Sequence, residues 1–164
     1  MKKAEYIYWR MEFSVGVEEI DNQHKELLNF VNDSLNHCTG DREAEKKYFM
    51  KAIAVGLEYL KKHFSTEENI MTLTGYEKYK DHKTEHDLLI ENLSSLIHDV
   101  EAGIQPLDLP KISFFLRDWF LNHIPMFDKP TEECFKKGYL SNSPDRRRQS
   151  RYQYSPPRSP ANRS

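Results

Sequence analysis

The sequence predicts an all-α protein: an up-down-up-down antiparallel four-helix bundle with an N-terminal arm and a disordered C-terminal tail. Three observations carry this. Between residues 18 and 139, four stretches place apolar residues at alternating steps of three and four, and strand-like alternation is almost absent. Each stretch runs roughly 20 to 30 residues with short connections, which sets consecutive helices antiparallel. From residue 141 onward the chain turns to Ser, Pro and Arg with almost no aliphatic residue, so it cannot bury enough apolar surface to offset its ordering entropy.

The elements follow in order. Residues up to about 17, with Tyr6, Tyr8, Trp9 and Phe13, read as an aromatic arm laid along the bundle. In the first helix Ile20, Leu27, Leu28, Val31 and Leu35 form one stripe, with His24 between Ile20 and Leu27. The second starts after Asp41, a residue type that caps helix N-termini, and runs through Phe49, Ile53, Gly56, Leu60, His63, Glu67 and Ile70 until "TGY" stops it. The third carries Tyr79, His82, His86, Leu89, Leu93, Leu96 and Val100 and ends at Gly103. The fourth is entered through Pro106 and Pro110 and carries Leu109, Ile112, Leu116, Trp119 and His123. With 164 residues this is one domain, residues 1–140, followed by a basic low-complexity tail, 141–164.

Composition narrows the setting. The net charge of −2 is unevenly placed: residues 141–164 hold six arginines against one aspartate, a local +5 that leaves −7 on residues 1–140. A basic stretch with interleaved tyrosines could meet nucleic acid or an anionic surface, but a solvated extension is the commoner case, and no specific nucleic-acid or membrane partner is expected. There is no charged-then-apolar leader, and the longest apolar run, "AIAVGL", is too short to span a bilayer, so a cytoplasmic protein is expected. Cys38 and Cys134 form no CxxC cluster, which fits a reducing compartment and excludes a cysteine-ligated zinc or iron–sulfur site.

The seam is where the chemistry lies. Of seven histidines, five (His24, His63, His82, His86 and His123) fall on the predicted buried stripes, whereas His37 and His98 fall off them. A lone buried histidine is ordinarily a satisfied core residue, but five converging on one interior, together with the carboxylate of Glu67, point to a metal. His63 with Glu67, and His82 with His86, are i, i+4 pairs about 40° apart around a helix, so each pair can present both side chains to one ion. Asp128 stands five residues after His123, splayed by roughly 140° on a regular helix. Pro125 between them removes a backbone hydrogen bond, and a helix that ends or distorts there swings Asp128 back to the seam.

Five imidazoles and two carboxylates are too many for one ion. Two octahedral ions need roughly twelve positions, and with Glu67, Asp128 and an oxide or hydroxide all bridging, about eleven are filled. One position is left for a small ligand, in apolar surroundings supplied by Leu27, Leu89, Trp119, Phe120 and Ile124.

With these residues in place, the chain resembles the hemerythrins, most closely the single-domain bacterial ones. "DNQH" at 21–24, "HFSTEE" at 63–68, "HKTEH" at 82–86 and "HIPMFD" at 123–128 are similar to the four ligand segments of that family, in order and with matching gaps. The resemblance covers roughly residues 9 to 135. It implies a non-haem centre of two iron ions, oxo- or hydroxo-bridged, that binds dioxygen reversibly and is not an enzyme. It further implies that His82, His86 and His123 hold one iron, that His24 and His63 hold the other, where dioxygen binds, and that Glu67 and Asp128 bridge them. The Arg-rich tail has no counterpart in the family pattern.

Rival readings separate on residue types. A ferritin-like oxidase uses paired Glu-x-x-His motifs, and no histidine here has a glutamate three positions before it. A zinc protease needs H-E-x-x-H, but Lys83 stands where the general base would be. The serious alternative keeps the centre and changes its task, to an enzyme or scavenger acting on nitric oxide or peroxide, or an iron donor. No acid–base residue outside the ligand set falls in the expected pocket, which favours binding. A ligand set complete within one chain points to a monomer.

Overall fold

The structure, a computed structural model, describes residues 6–142. The four expected helices are α1 (Glu18–Asn36), α2 (Arg42–Thr74), α3 (Tyr79–Glu101) and α4 (Leu109–His123). Local chemistry explains their ends. The Asp41 side chain accepts from the backbone N–H groups of Glu43 and Ala44, satisfying two of the four donors that every helix start leaves unpaired. Gly75 ends α2 in the left-handed region, at φ 66°, a conformation most side chains resist. Pro110 lies in the first turn of α4, where its missing N–H costs nothing, and Asp108 caps that turn through Lys111.

The helices pack α1 on α4 and α2, and α2 on α3, around one apolar core that includes Leu28, Val31, Phe49, Leu60, Leu93 and Leu116. The arm lies along this bundle as expected. The backbone of Ile7 and the side chain of Asn32 exchange two hydrogen bonds, at 2.8 and 2.7 Å, and Phe13, Val15 and Val17 are buried. Asp21 holds the arm's end, accepting from Ser14 Oγ at 2.6 Å and from the Val15 N–H at 2.8 Å.

Beyond His123 the chain takes the second of the two courses expected at Pro125, a distortion, and then adds an element that was not expected. The helix does not end at Pro125. It widens into a π-turn over Ile124–Asp128, closed by the Lys129 N–H on the Ile124 carbonyl, then narrows through a 3-10 turn at Lys129–Thr131. A further helix, α5 (Glu132–Asn142), follows and packs on α2. It crosses the boundary expected at residue 140; the disorder expected of the tail concerns, from residue 143 on, a segment outside the described residues. The sequence pattern hid α5 because it is short and buries little of itself. Phe135 is its main anchor, meeting Val15, Val17, Ile20, Ile70 and Met71 in a second apolar cluster. Among the described residues no helix is long and apolar enough to cross a membrane.

Close approach of α5 to α2 depends on Gly138. A Cβ there would lie 2.5 Å from Cγ2 of Ile70, whose β-branched side chain cannot easily turn away. Gly138→Ala is therefore expected to destabilise the protein by about 1–3 kcal/mol despite alanine's better helix propensity. Urea unfolding of the two proteins side by side measures this.

Candidate metal centre

Antiparallel alternation brings the start of α1, the end of α2, the start of α3 and the end of α4 to one end of the bundle. There the structure gathers all seven predicted residues. His24, Glu67, His82, His86 and Asp128 are each at most 1% exposed, and His63 and His123 only slightly more. His37 and His98 lie elsewhere: His37 stacks on Tyr48, and His98 sits at the surface beside Asp99. The π-turn does what a regular helix could not. Its wider i→i+5 ring returns Asp128 to the face of His123, with Oδ1 3.1 Å from His123 Nε2.

The contacts divide into two halves around the carboxylates. Glu67 Oε1 faces Nε2 of His24 at 3.4 Å and of His63 at 3.5 Å, while its Oε2 faces Nε2 of His82 at 3.8 Å and of His86 at 3.4 Å. Asp128 repeats the division: Oδ2 lies 3.2 Å from His24 Nε2, and Oδ1 lies 2.9 Å from His82 Nε2. All five imidazoles thus present Nε2 inward. Within 4.8 Å of one another lie one donor atom each from Glu67, His82, His86, His123 and Asp128, and likewise from His24, His63 and Glu67.

These donors fit cations better than they fit one another. Both oxygens of Glu67 and of Asp128 are buried without a hydrogen-bond partner, as are both ring nitrogens of His24 and His82. Buried polar atoms left in this state cost about 1–3 kcal/mol each, and more when charged. His86 and His123 bring their Nε2 atoms within 3.1 Å, an arrangement that suits two lone pairs directed at a shared metal ion.

The electrostatics of the cation-free site tell the same story. Burial draws the His63 imidazolium down to about 4 and lowers that of His123. Burial also opposes charge on His24 and His86, but neighbouring carboxylates outweigh it, Asp128 and Glu67 raising His24 to about 10, and Glu67 and Glu68 raising His86 to about 9. Burial pushes Glu67 and Asp128 upward, yet the surrounding histidines hold both below the usual carboxylate range. The interior is built around two anions.

The shell behind the imidazoles was not singled out by the sequence pattern. His63 Nδ1 donates to Gln23 Oε1 at 2.9 Å and His86 Nδ1 to Glu68 Oε1 at 3.0 Å. The His123 ring is stacked between Trp119 (centroids 4.1 Å apart) and Phe127 (5.2 Å), and His86 stacks on Phe64 at 3.8 Å. Gln23, Glu68, Phe64 and Phe127 all lie inside the four quoted ligand segments, one residue to either side of a seam position. Sequence adjacency was the available signal. Leu27, Leu89, Phe120 and Ile124 are buried in the main core, whereas Trp119 is only partly buried and is taken up by His123.

Comparison with known proteins identifies a family. The family model described as the hemerythrin HHE cation binding domain matches residues 15–129. The chain is 32% identical over 123 residues to a bacteriohemerythrin of Methylococcus capsulatus, covering 75% of this chain and 91% of that one. It is 31% identical over 120 residues to a myohemerythrin of Sipunculus nudus, covering 73% and 86%. A crystal structure of wild-type hemerythrin superposes with a TM-score of 0.69 at 32% identity, over 79% of this chain and 98% of that one. The family match spans every residue of the candidate centre, from His24 to Asp128, and the chain belongs to the hemerythrin family.

Proposed function

We propose that the protein binds dioxygen reversibly at a bridged pair of iron ions held by His24, His63, Glu67, His82, His86, His123 and Asp128. One observation carries the reading: each buried carboxylate turns one oxygen to the His24 side and the other to the side of His82, His86 and His123. Bridging carboxylates between a two-histidine and a three-histidine position leave the two-histidine position short of protein ligands. Iron, when bound, supplies reversible one-electron changes and a coordination position for a diatomic ligand.

The chain's own residues do the rest. Leu27 and Leu89 stand one turn from His24 and His86, and with Phe120 and Ile124 they wall the ligand space with apolar side chains that keep water and protons out. Trp119 supports this wall from the side by stacking on His123. Glu67 and Asp128 would offset part of the charge of the two cations, so that less net charge is buried once the centre is loaded. Such an apolar wall suits the site to holding a ligand and releasing it. Relatives named bacteriohemerythrin and myohemerythrin support this reading. A ligand set supplied by one chain supports action as a monomer.

Anaerobic reconstitution with ferrous iron, followed by air, tests the proposal. We expect two irons per chain and a ligand-to-iron charge-transfer band that fades on deoxygenation. Immediate irreversible oxidation, or turnover of nitric oxide or peroxide well above an iron-free control, overturns it. Glu67→Ala removes a bridge and should lower iron below two per chain, whereas His98→Ala should leave iron content unchanged; metal analysis of the purified variants decides both.

Metal binding is also linked to pH. His24 and His86, raised in the cation-free fold to about 10 and about 9, stabilise it fully below the unfolded value of about 6.5, and this is lost as pH rises through 9 to 10. His63 and His123 are lowered, so their burial costs stability as pH falls below about 6.5. The cation-free protein should therefore melt highest near about pH 6.5 and lose stability on both sides. Iron should abolish the alkaline decline, because ligating nitrogens have no proton left to lose. Melting temperatures from pH 5 to 10, with and without iron, measure both limbs.

A further inference from the structure

Two of the five imidazoles are held from behind by side chains, and the two supports differ in charge. Behind Nδ1 of His63 and of His86 stand Gln23 Oε1 and Glu68 Oε1, oxygens that can only accept, so each Nδ1 carries a proton and Nε2 is the atom left to a metal. Gln23 is neutral. Glu68 is a carboxylate, 19% exposed, whose other oxygen lies 3.5 Å from Lys83 Nζ; Lys83 also binds Asp87 at 2.6 Å. Glu68, Lys83 and His86 line one cleft between α2 and α3, together with Lys61, Ser65 and Asp87.

A carboxylate behind a ligating histidine draws the Nδ1 proton toward itself and makes Nε2 a stronger electron donor, whereas an amide oxygen does so weakly. We infer that Glu68, set against the neutral Gln23, is a positioning residue that makes the two metal positions electronically unequal. Through His86 it favours the ferric state at the position of His82, His86 and His123, and Gln23 leaves the position of His24 and His63 the more readily ferrous. The first electron withdrawn from the diferrous pair, by a one-electron oxidant in solution, then leaves the three-histidine position. The two-histidine position, where the external ligand is proposed to bind, keeps its electron longer. Lys83 tempers the effect, since its cation offsets part of the Glu68 charge.

The inference rests on the iron reading above, and a purely structural role for Glu68, tying α2 to α3, makes different predictions. Such a tie would change stability and leave electron affinity alone. The test is a mediated redox titration of the full chain reconstituted anaerobically with ferrous iron, following both one-electron steps, with iron counted per chain. Glu68→Gln should raise the first step by about tenfold in equilibrium constant, about 59 mV for one electron, with two irons retained. Lys83→Met should shift the same step downward by less, and Gln23→Glu should narrow the gap between the steps by lowering the second.

The inference is overturned if Glu68→Gln keeps two irons and leaves the first step in place, or if Glu68→Gln and Lys83→Met shift it in the same direction. Should Glu68→Gln lose iron, an unmoved first step in Lys83→Met overturns it equally. A wild-type chain that takes up no redox-active pair overturns the iron reading and the inference with it, whereas a wild-type pair insensitive to all three substitutions overturns the inference alone.

Discussion

Two ionised carboxylates deep inside a helical bundle set the terms for everything around them. Glu67 and Asp128 have no solvent exposure, and desolvating each costs several kcal/mol before their mutual repulsion is counted. Apolar packing cannot offset this. Only positive charge at close range can, which is why five imidazoles converge on the pair and why two of them hold protons so tightly when no cation is present. A cation-free fold must keep those protons, and a metal ion held there would replace them. Folding and metal binding therefore draw on the same interaction.

The architecture serves that constraint. Alternating helix directions bring four helix ends together, so that residues from 24 to 128 meet in one place. The π-turn at Ile124–Asp128 adds the one residue of advance that returns Asp128 to the seam, and Pro125 makes the regular alternative unfavourable because its ring would crowd the carbonyl four residues earlier. The arm and α5 then close the same end. Val15, Val17 and Phe135 pack with Ile20, one turn from His24, and with Ile70 and Met71, one turn from Glu67. Water is kept from the carboxylates by elements that contribute no ligand.

The two halves of the centre are supported unequally. The three-histidine half is stiffened by stacking, with His123 between Trp119 and Phe127 and His86 against Phe64. On the other half His24 and His63 meet edge to face, and Gln23 alone holds a ring nitrogen. The stacked rings are the more rigidly held of the two sets.

Much of this was legible in the sequence because helical periodicity is a local property. Steps of three and four placed His24, His63, His82, His86 and His123 on buried stripes, and the i, i+4 spacing paired His63 with Glu67 and His82 with His86 without reference to any other helix. Asp41, Gly75 and Pro110 marked helix ends through backbone chemistry that acts within a few residues. Asp128 was reachable only through the expectation of a distortion at Pro125, and the form of that distortion, a π-turn and not a helix end, depends on what packs around it. Helix α5, the grip of Gln23 on His63 and of Glu68 on His86, and the stacking of Phe127 were decided by tertiary structure. Except for the Phe127 stack, which lies within the π-turn, each joins residues from different helices, whose rotation and separation are fixed by the whole core. Sequence determined which side chains face inward, and packing decided which atoms of those side chains face each other.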